Sequence, residues 1–272
     1  MKKSILILLS ALLFASCSEG GKVISVLEDP DTYAADSIIS SRGDTLFYRY
    51  TVPEVIREGE KYPLVLFLHG AGERGSDNEK QLTHCSRVFT SPVNREKFPC
   101  YALFPQCPEK DFWAYDMRSS FKSLDPMDMP LESPEAGIMK TVMDLLETFS
   151  NSNQVDRDRI YVMGLSMGGM ATFDIVIRHP DFFAAAVPVC GSVNPERITS
   201  DIKTPFRIYH GDADPVVPLL GSRKAYRALK AAGVEADLIE FPGVGHGSWN
   251  PAVTDPEFLP WMFRQKNRLW HL

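Results

Sequence analysis

The sequence contains little cysteine and no excess of positive charge. Its 272 residues include five cysteines and carry a formal net charge of -6. No C-x-x-C pair or histidine-cysteine cluster occurs, so nothing indicates a metal site. An acidic chain without a basic run is a poor match for nucleic acid or an anionic membrane surface. We therefore expect a globular protein with no cofactor, no metal and no nucleic-acid partner.

Apolar runs long enough to span a membrane are also absent. The most apolar stretch, residues 5–14, is interrupted only by Ser10 and follows the positively charged segment 1–3. A run of this length is too short to cross a hydrocarbon core about 30 Å thick as a helix. The pattern predicts a signal peptide over residues 1–16.

The end of this leader, Phe14-Ala15-Ser16-Cys17, resembles the lipobox of bacterial lipoproteins. The resemblance implies that Cys17 is lipidated and becomes the mature N-terminus. The alternative is plain secretion with Cys17 as an ordinary thiol. We expect an exported protein, lipid-anchored on the periplasmic or cell-surface side of a bacterial membrane. It would have a tether over 17–36, one catalytic domain over 37–272 and no other membrane attachment.

An exported chain can form disulfides, and four cysteines follow the leader: Cys85, Cys100, Cys107 and Cys190. Cys100 and Cys107 flank a predicted strand, which would separate them by about 23 Å. That distance is beyond disulfide reach. The other pairings stay open.

Short apolar runs alternate with helical patterns along the rest of the chain. The runs predict strands at 46–52, 63–68, 101–104, 160–163, 184–189, 206–209 and 237–241, and the patterns predict helices at 135–149, 167–178, 222–232 and 258–268. Strands that are apolar throughout and separated by helices favour a mostly parallel sheet with helices on both faces. Only 16 residues separate Val189 from Phe206, which excludes a large lid domain there. The irregular stretch 107–134 is rich in aromatic residues and is expected to fold over the mouth of the site.

A G-x-S-x-G motif is centred on Ser166, after one predicted strand and before the helix at 167–178. This is the context of a nucleophile elbow, in which the serine lies exposed on a tight turn. The turn requires Gly164 and Gly168 because side chains there would collide. The helix N-terminus also favours developing negative charge at the serine. Ser166 is the predicted nucleophile, and an incidental serine in an ordinary turn is the alternative.

A serine hydroxyl becomes nucleophilic when a base accepts its proton. His246 lies in a glycine-rich segment, 243–247, after the predicted strand 237–241, and is the predicted base. The acid is expected just after the strand at 206–209. Asp212 and Asp214 both lie there, and either could orient His246.

The segment 69–75, HGAGERG, follows the predicted strand 63–68. A backbone N–H of this segment and that of Met167 are predicted to form an oxyanion hole. Glu73 and Arg74 are expected to pair and brace the segment, with substrate contact by Arg74 as the alternative.

Four motifs follow in order: HGAGERG, RIYVMGLSMGG, HGDADPVVP and GVGHGSW. Together they resemble the secreted α/β-hydrolases of the polyhydroxybutyrate-depolymerase-like and feruloyl-esterase-like groups, with the prolyl oligopeptidase catalytic domain as a more distant relative. The resemblance implies an α/β-hydrolase fold. It places the acid at Asp214 with Asp212 in support, and the oxyanion N–H at Ala71 with Gly72 as the second candidate. Trp249 matches the group's H-x-S-W pattern.

The predicted function is a serine carboxylesterase that works through an acyl-enzyme. We expect short-chain or aromatic acyl esters, carried by a small molecule or a polysaccharide, with acetyl or feruloyl groups favoured. Trp113 and Trp249 are the predicted substrate contacts, because aromatic rings stack on flat partners. The alternatives are a prolyl-oligopeptidase-like serine peptidase and a non-catalytic binding lipoprotein.

Overall fold

The computed structural model describes residues 23–26, 33–40, 43–114, 130–132 and 134–267. Its strands are β1 (Val23–Val26), β2 (Ala34–Ile39), β3 (Thr45–Thr51), β4 (Val55–Arg57), β5 (Tyr62–Leu68), β6 (Tyr101–Pro105), β7 (Val155–Leu165), β8 (Ala185–Val189), β9 (Phe206–Gly211) and β10 (Ala236–Phe241). The helices are α1 (Arg87–Thr90), α2 (Pro92–Lys97), α3 (Gly137–Ser152), α4 (Met167–Arg178), α5 (Leu219–Ala231), α6 (Trp249–Thr254) and α7 (Phe258–Arg264). Short 3-10 turns lie at Ala71–Glu73, Lys80–Leu82 and Pro195–Arg197.

The main sheet has eight strands in the order β10-β9-β8-β7-β5-β6-β3-β2. The strands from β10 to β6 are parallel, whereas β3 and β2 are antiparallel additions at one edge. Every residue of β5, β6 and β8 is buried, as expected for parallel strands covered on both faces. Each of the seven predicted strands is present, shifted by a few residues at its ends.

Helices cover both faces of the sheet. On one face α3, α4 and α5 contribute Leu145, Phe173 and Leu229 to a large apolar cluster. On the other, α1 and α7 contribute Phe89 and Met262 to a second cluster. This arrangement is the α/β-hydrolase fold and confirms the predicted fold class.

The connection between β8 and β9 holds only the 3-10 turn Pro195–Arg197, so the expectation of no large lid is confirmed. Of the stretch 107–134, residues 115–129 and 133 lie outside the described part of the chain, as does Cys17. Trp113 and Ala114 are buried against the apolar cluster of the first face. Within the described ranges, no helix combines the length and apolar character needed to cross a membrane.

The N-terminal region differs from the tether expected over 17–36. Strand β1 lies inside that range and pairs antiparallel with β4, and β2 begins at Ala34 and pairs with β3. Most residues of β2 are exposed. An edge strand held mainly by backbone hydrogen bonds needs no apolar pattern, and for this reason β2 was not predicted.

Cys85, Cys100, Cys107 and Cys190 are free thiols. Burial raises the pKa of Cys100 and of Cys190 to about 12 and that of Cys85 and Cys107 further. All four therefore stay protonated at neutral pH. The expected exclusion of a Cys100–Cys107 bridge agrees with β6, which lies between the two residues.

Candidate active site

Ser166 lies in the turn between β7 and α4, at the carboxyl edge of the sheet. Its backbone has φ 53° and ψ -115°, a strained conformation for a residue with a side chain. A Cβ on Gly168 would stand 1.8 Å from the carbonyl oxygen of Leu68, and one on Gly164 would stand 2.3 Å from that of Gly168. The turn therefore requires glycine at both positions, as the motif predicted.

Three side chains from separate loops meet at this edge. Nε2 of His246 lies 2.9 Å from Oγ of Ser166, and Nδ1 of His246 lies 2.8 Å from Oδ2 of Asp214. An ionised carboxylate only accepts hydrogen bonds, so Nδ1 carries the proton and Nε2 can accept that of the serine. The geometry is that of general-base activation of a serine hydroxyl.

The Asp214 side chain is fully buried. Its Oδ1 accepts hydrogen bonds from the backbone N–H groups of Val216 at 2.8 Å and Val217 at 3.0 Å. Burial alone would raise the pKa of Asp214, but the hydrogen bonds from His246 and from these N–H groups outweigh it and hold the pKa below its usual value. The acid is therefore ionised whenever His246 needs a partner.

The two aspartates that the residues alone left open occupy different places. Asp212 is exposed, and its Oδ1 accepts a hydrogen bond from the backbone N–H of Gly243 at 2.6 Å. It holds the start of residues 243–248, the histidine loop, which carries His246. Asp214 thus contacts the imidazole, and Asp212 contacts the loop backbone.

The predicted oxyanion donors lie at the first positions of two helical segments. Ala71 begins a 3-10 turn and Met167 begins α4, so neither N–H has an acceptor within its own helix. Gly72 is the second residue of that same turn. A Cβ on Gly70 would lie 3.7 Å from Cβ of Ser166, which places residues 69–75, the oxyanion loop, directly beside the nucleophile.

Trp113 does not face a substrate. Its side chain is 0% exposed, its indole N–H donates to the carbonyl oxygen of His69 at 3.1 Å, and its ring packs edge-on against the His69 imidazole. A fully buried ring has no face left for a ligand, so the predicted substrate contact at Trp113 is corrected to a support beneath the oxyanion loop. Its place in an aromatic-rich loop could not reveal this burial.

Glu73 and Arg74 do not brace the loop as a pair. Nε of Arg74 donates to the carbonyl oxygen of Ala71 at 3.0 Å, and its guanidinium lies over the ring of Phe112. The Glu73 carboxylate instead lies 3.7 Å from Nε2 of His84. Arg74 therefore stabilises the loop by bonding to its backbone. The prediction of a Glu73–Arg74 pair was wrong because it relied only on the two residues being adjacent in sequence.

Trp249 lies beside His246. Its ring is partly buried, meets the His246 ring edge-on with centroids 5.5 Å apart, and has His84 on another side at 4.9 Å. The indole N–H is buried and has no hydrogen-bond partner among the described residues. Trp249 remains in position to form part of a substrate-binding wall.

Cys190, Asp214 and His246 offer three ligand atoms within 4.8 Å of one another. The Cys190 thiol is protonated, as its raised pKa shows, and the other two groups already share a proton in a hydrogen bond. This chemistry fits a proton relay better than a metal site.

A second histidine, His210, also contacts Asp214, with Nε2 at 3.3 Å from Oδ2. His210 was not among the predicted site residues. The available signal was its position at the end of β9, four residues before the acid.

The parallel sheet, the strained serine turn and the Ser166–His246–Asp214 arrangement define an α/β-hydrolase. Within that class the chain belongs to the dienelactone hydrolase family, whose profile matches residues 102–257. It is 28% identical over 192 residues to a probable carboxylesterase of Oryza sativa subsp. japonica, covering 67% of this chain and 70% of that protein. It is 26% identical over 235 residues to an endo-1,4-beta-xylanase/feruloyl esterase of Xylanibacter ruminicola, covering 85% of this chain and 29% of that protein.

A solved structure of a thermostable esterase is similar over 87% of this chain, with 33% identity and a TM-score of 0.77. The present chain spans 64% of that chain's length. The similarity to carboxylesterases supports an ester hydrolase.

Proposed function

We propose that this protein is a serine carboxylesterase in which Ser166, His246 and Asp214 form the triad. The observation that carries the proposal is the continuous chain of hydrogen bonds from the serine Oγ through the imidazole to the buried carboxylate, at 2.9 and 2.8 Å. Packing alone would not require a strained serine, a histidine and a buried aspartate to meet in one row.

In the proposed reaction, Oγ of Ser166 forms a bond to the ester carbonyl carbon while its proton passes to Nε2 of His246. The carbonyl oxygen takes up the negative charge and receives hydrogen bonds from the N–H groups of Ala71 and Met167. One such donor is typically worth about 10²- to 10³-fold in rate. The C–O bond to the alcohol then breaks as His246 returns its proton to the leaving oxygen.

Water completes the cycle. It gives a proton to His246 while its oxygen attacks the acyl carbon, and the bond to Ser166 Oγ then breaks as His246 returns that proton to Oγ, which releases the carboxylic acid. Throughout, Asp214 accepts the Nδ1 hydrogen bond and stabilises the imidazolium that forms twice in each turnover. The ester and one water molecule are the reactants, and the three side chains return to their starting protonation states.

For the substrate we propose a short or aromatic acyl group on a carbohydrate-like alcohol. The link between β8 and β9 carries no lid that could cover a long apolar trough, and Trp249 presents a flat ring next to His246. The similarity to a xylanase/feruloyl esterase points the same way. Methyl ferulate and acetylated xylan should therefore be hydrolysed with a higher kcat/KM than a long-chain nitrophenyl ester, and a preference for the long chain would contradict the proposal.

The triad is tested with Ser166→Ala and Ser76→Ala, the second being an exposed serine near the oxyanion loop. A fluorophosphonate probe should label the wild type and Ser76→Ala but not Ser166→Ala, and nitrophenyl acetate turnover should follow the labelling. Undiminished turnover in a folded Ser166→Ala variant would rule out this nucleophile.

We also propose that the protein is exported and anchored through Cys17. The support is the leader pattern alone: a positive start, a short apolar run and a small-residue stretch before the cysteine. In the native host, Cys17→Ala should move the protein from the detergent phase to the soluble periplasmic or medium fraction. The same partitioning with and without Cys17 would exclude the anchor.

A further inference from the structure

Two imidazoles face one oxygen of Asp214. Oδ2 lies 2.8 Å from Nδ1 of His246 and 3.3 Å from Nε2 of His210. The side chains of Asp214 and His210 are both 0% exposed, so this contact lies away from bulk solvent. The mechanism described above uses only the first of these two histidines.

The hydrogen-bond partners of His210 determine which nitrogen carries its proton. Nε2 lies 2.9 Å from the carbonyl oxygen of Val217 and also faces Oδ2 of Asp214. Both partners are acceptors only, so Nε2 must be the donor. Burial lowers the pKa of His210, so the ring is neutral at physiological pH and Nδ1 is an acceptor.

Ser222 of α5 lies on the other side of the ring, beside Nδ1. Its Oγ lies 2.7 Å from Nδ1 of His210 and 2.9 Å from the carbonyl oxygen of Gly191, and the Ser222 side chain is buried. The hydroxyl carries one proton and donates it to the Gly191 oxygen, so the proton on Nε2 of His210 is selected by the two acceptors on that side of the ring and not by Ser222. His210 thereby links β9 and α5 to the loop that carries the acid.

We propose that His210 is a positioning residue of the catalytic acid: its Nε2–H lies between the carbonyl oxygen of Val217 at 2.9 Å and Oδ2 of Asp214 at 3.3 Å, and it keeps the carboxylate aligned with His246. The inference rests on the proposed triad. The backbone N–H groups of Val216 and Val217 fix Oδ1 alone, and a carboxylate held through one oxygen could still rotate. His210 fixes the second oxygen from the sheet itself.

His210 also affects the negative charge on Oδ2 of Asp214, the oxygen that accepts the hydrogen bond from His246. An N–H that points at Oδ2 withdraws negative charge from it, so Oδ2 stabilises the His246 imidazolium less than it otherwise would. Removing that donor should move the acid limb of kcat/KM, the fall in rate towards low pH, to higher pH as long as the carboxylate stays in place. A merely structural histidine would not affect this titration.

The other titratable groups around the pair are few within the described residues. Cys190, at the end of β8, lies next to Asp214 and His246 and stays protonated. Glu240 of β10 stands opposite His210 in the strand register and is paired with Arg223 of α5. Neither group titrates between pH 5 and 8, so a shift of the acid limb in that range reports on His246.

The experiment compares His210→Leu, which removes the donor and keeps much of the volume, with His210→Gln, which keeps an N–H at the end of the side chain. Nitrophenyl acetate kinetics are measured from pH 5 to 9, with thermal unfolding as the check on folding. We expect kcat of His210→Leu to fall about 10- to 100-fold with KM nearly unchanged. This is the range found when the partner behind a metal-binding histidine is removed. The acid limb of kcat/KM, which reports the free enzyme's base, should move to higher pH.

His210→Gln should recover most of kcat and return the acid limb towards the wild-type position. Ser222→Ala, which removes the hydroxyl beside Nδ1 and leaves the ring in place, should give a smaller loss in the same direction, and it serves as the test if His210→Leu does not fold. Wild-type kinetics in a folded His210→Leu, or an equal loss in the Leu and Gln variants without a shift of the acid limb, would overturn the proposal. If Ser166→Ala retains full activity, the triad itself fails, and that result is distinguishable from these.

Discussion

The two loops that flank Ser166 are held in different ways. The oxyanion loop is tied from below by side chains: the indole of Trp113 donates to the carbonyl oxygen of His69, and the amide of Gln106 donates to that of Glu73 at 3.1 Å. His69 is itself buried, and its Nε2 accepts a hydrogen bond from a backbone N–H at 2.9 Å. This loop is built into the core.

The histidine loop is held against the segment that follows β9, mainly by hydrogen bonds of its backbone. The N–H of Ala213 donates to the carbonyl oxygen of Val244 at 3.0 Å, and the N–H of Gly243 donates to the exposed carboxylate of Asp212. A Cβ on Gly211 would lie 2.1 Å from the Val244 oxygen. The backbones of the histidine loop and of the segment at the end of β9 therefore approach closely, without interlocking side chains.

The contrast matches what each loop has to do. Oxyanion donors stabilise charge best when they are fixed before the reaction begins, and buried anchors provide that rigidity. In the proposed reaction, the imidazole of His246 exchanges its proton first with the serine and then with the leaving oxygen, so it needs a defined orientation more than an immobile loop. That orientation comes from one carboxylate, Asp214.

The largest expected effect breaks that single contact. Asp214→Asn keeps the shape but replaces a charged acceptor with an amide, and kcat should fall by about 10⁴-fold, as for the equivalent change in serine proteases. Asp212→Asn keeps an acceptor for the Gly243 N–H and should cost less than about tenfold, in keeping with one exposed hydrogen bond. Nitrophenyl acetate kinetics on the two folded variants check the ranking. The reverse order of kcat would exchange the roles of the two aspartates.

The next largest effect is on stability, and it compares Trp113, under the oxyanion loop, with Trp249, beside His246. Trp113→Ala would leave a cavity under the oxyanion loop and should lower the free energy of unfolding by about 3–5 kcal/mol, the usual range for a buried aromatic. Trp249→Ala, at a partly exposed position, should cost less than half of that and should mainly raise KM for feruloyl esters. Urea unfolding and kinetics measure both.

Trp113→Phe is the matched control, since it keeps most of the volume and loses the N–H that reaches His69. It should recover most of the stability. If Trp113→Ala proves as stable as Trp249→Ala, the indole does not support the loop. If Trp249→Ala leaves KM unchanged for feruloyl esters, the proposed binding wall is wrong.

The central strands could be predicted because burial on both faces produces apolar runs, as in β5. The turn at Ser166 could also be predicted, because a serine between a strand and a helix requires glycine two residues to either side. The edge strand β2 was not predictable, since it is mostly exposed and its pairing is encoded in no side-chain pattern. Trp113 and His210 were misjudged or missed for one reason: their roles depend on which strand ends become neighbours, and local sequence does not specify that.

The smallest expected effect is on the stability of the protein at acidic pH, and it arises from His69 in the oxyanion loop. Burial lowers the pKa of His69 to about 4, against a backbone hydrogen bond to Gly70 that acts in the opposite sense. The ring is neutral in the folded protein, while in the unfolded chain it takes up a proton near pH 6.5. Unfolding therefore binds more protons between about pH 6.5 and 4, and stability falls as the pH is lowered through that window.

Over the whole window this loss amounts to about 3 kcal/mol at most, from 1.36 kcal/mol for each pKa unit. His210 titrates in the same direction, so the slope in the wild type is shared between two histidines. His69→Gln offers an acceptor for the backbone N–H of Cys107 without a titrating ring. Urea unfolding at pH 7, 5.5 and 4.5 should show that this variant is less stable at neutral pH but loses less stability on acidification. Equal slopes in the two proteins would mean that His69 is not held neutral under the oxyanion loop, and the anchoring described here would then rest on Trp113 and Gln106 alone.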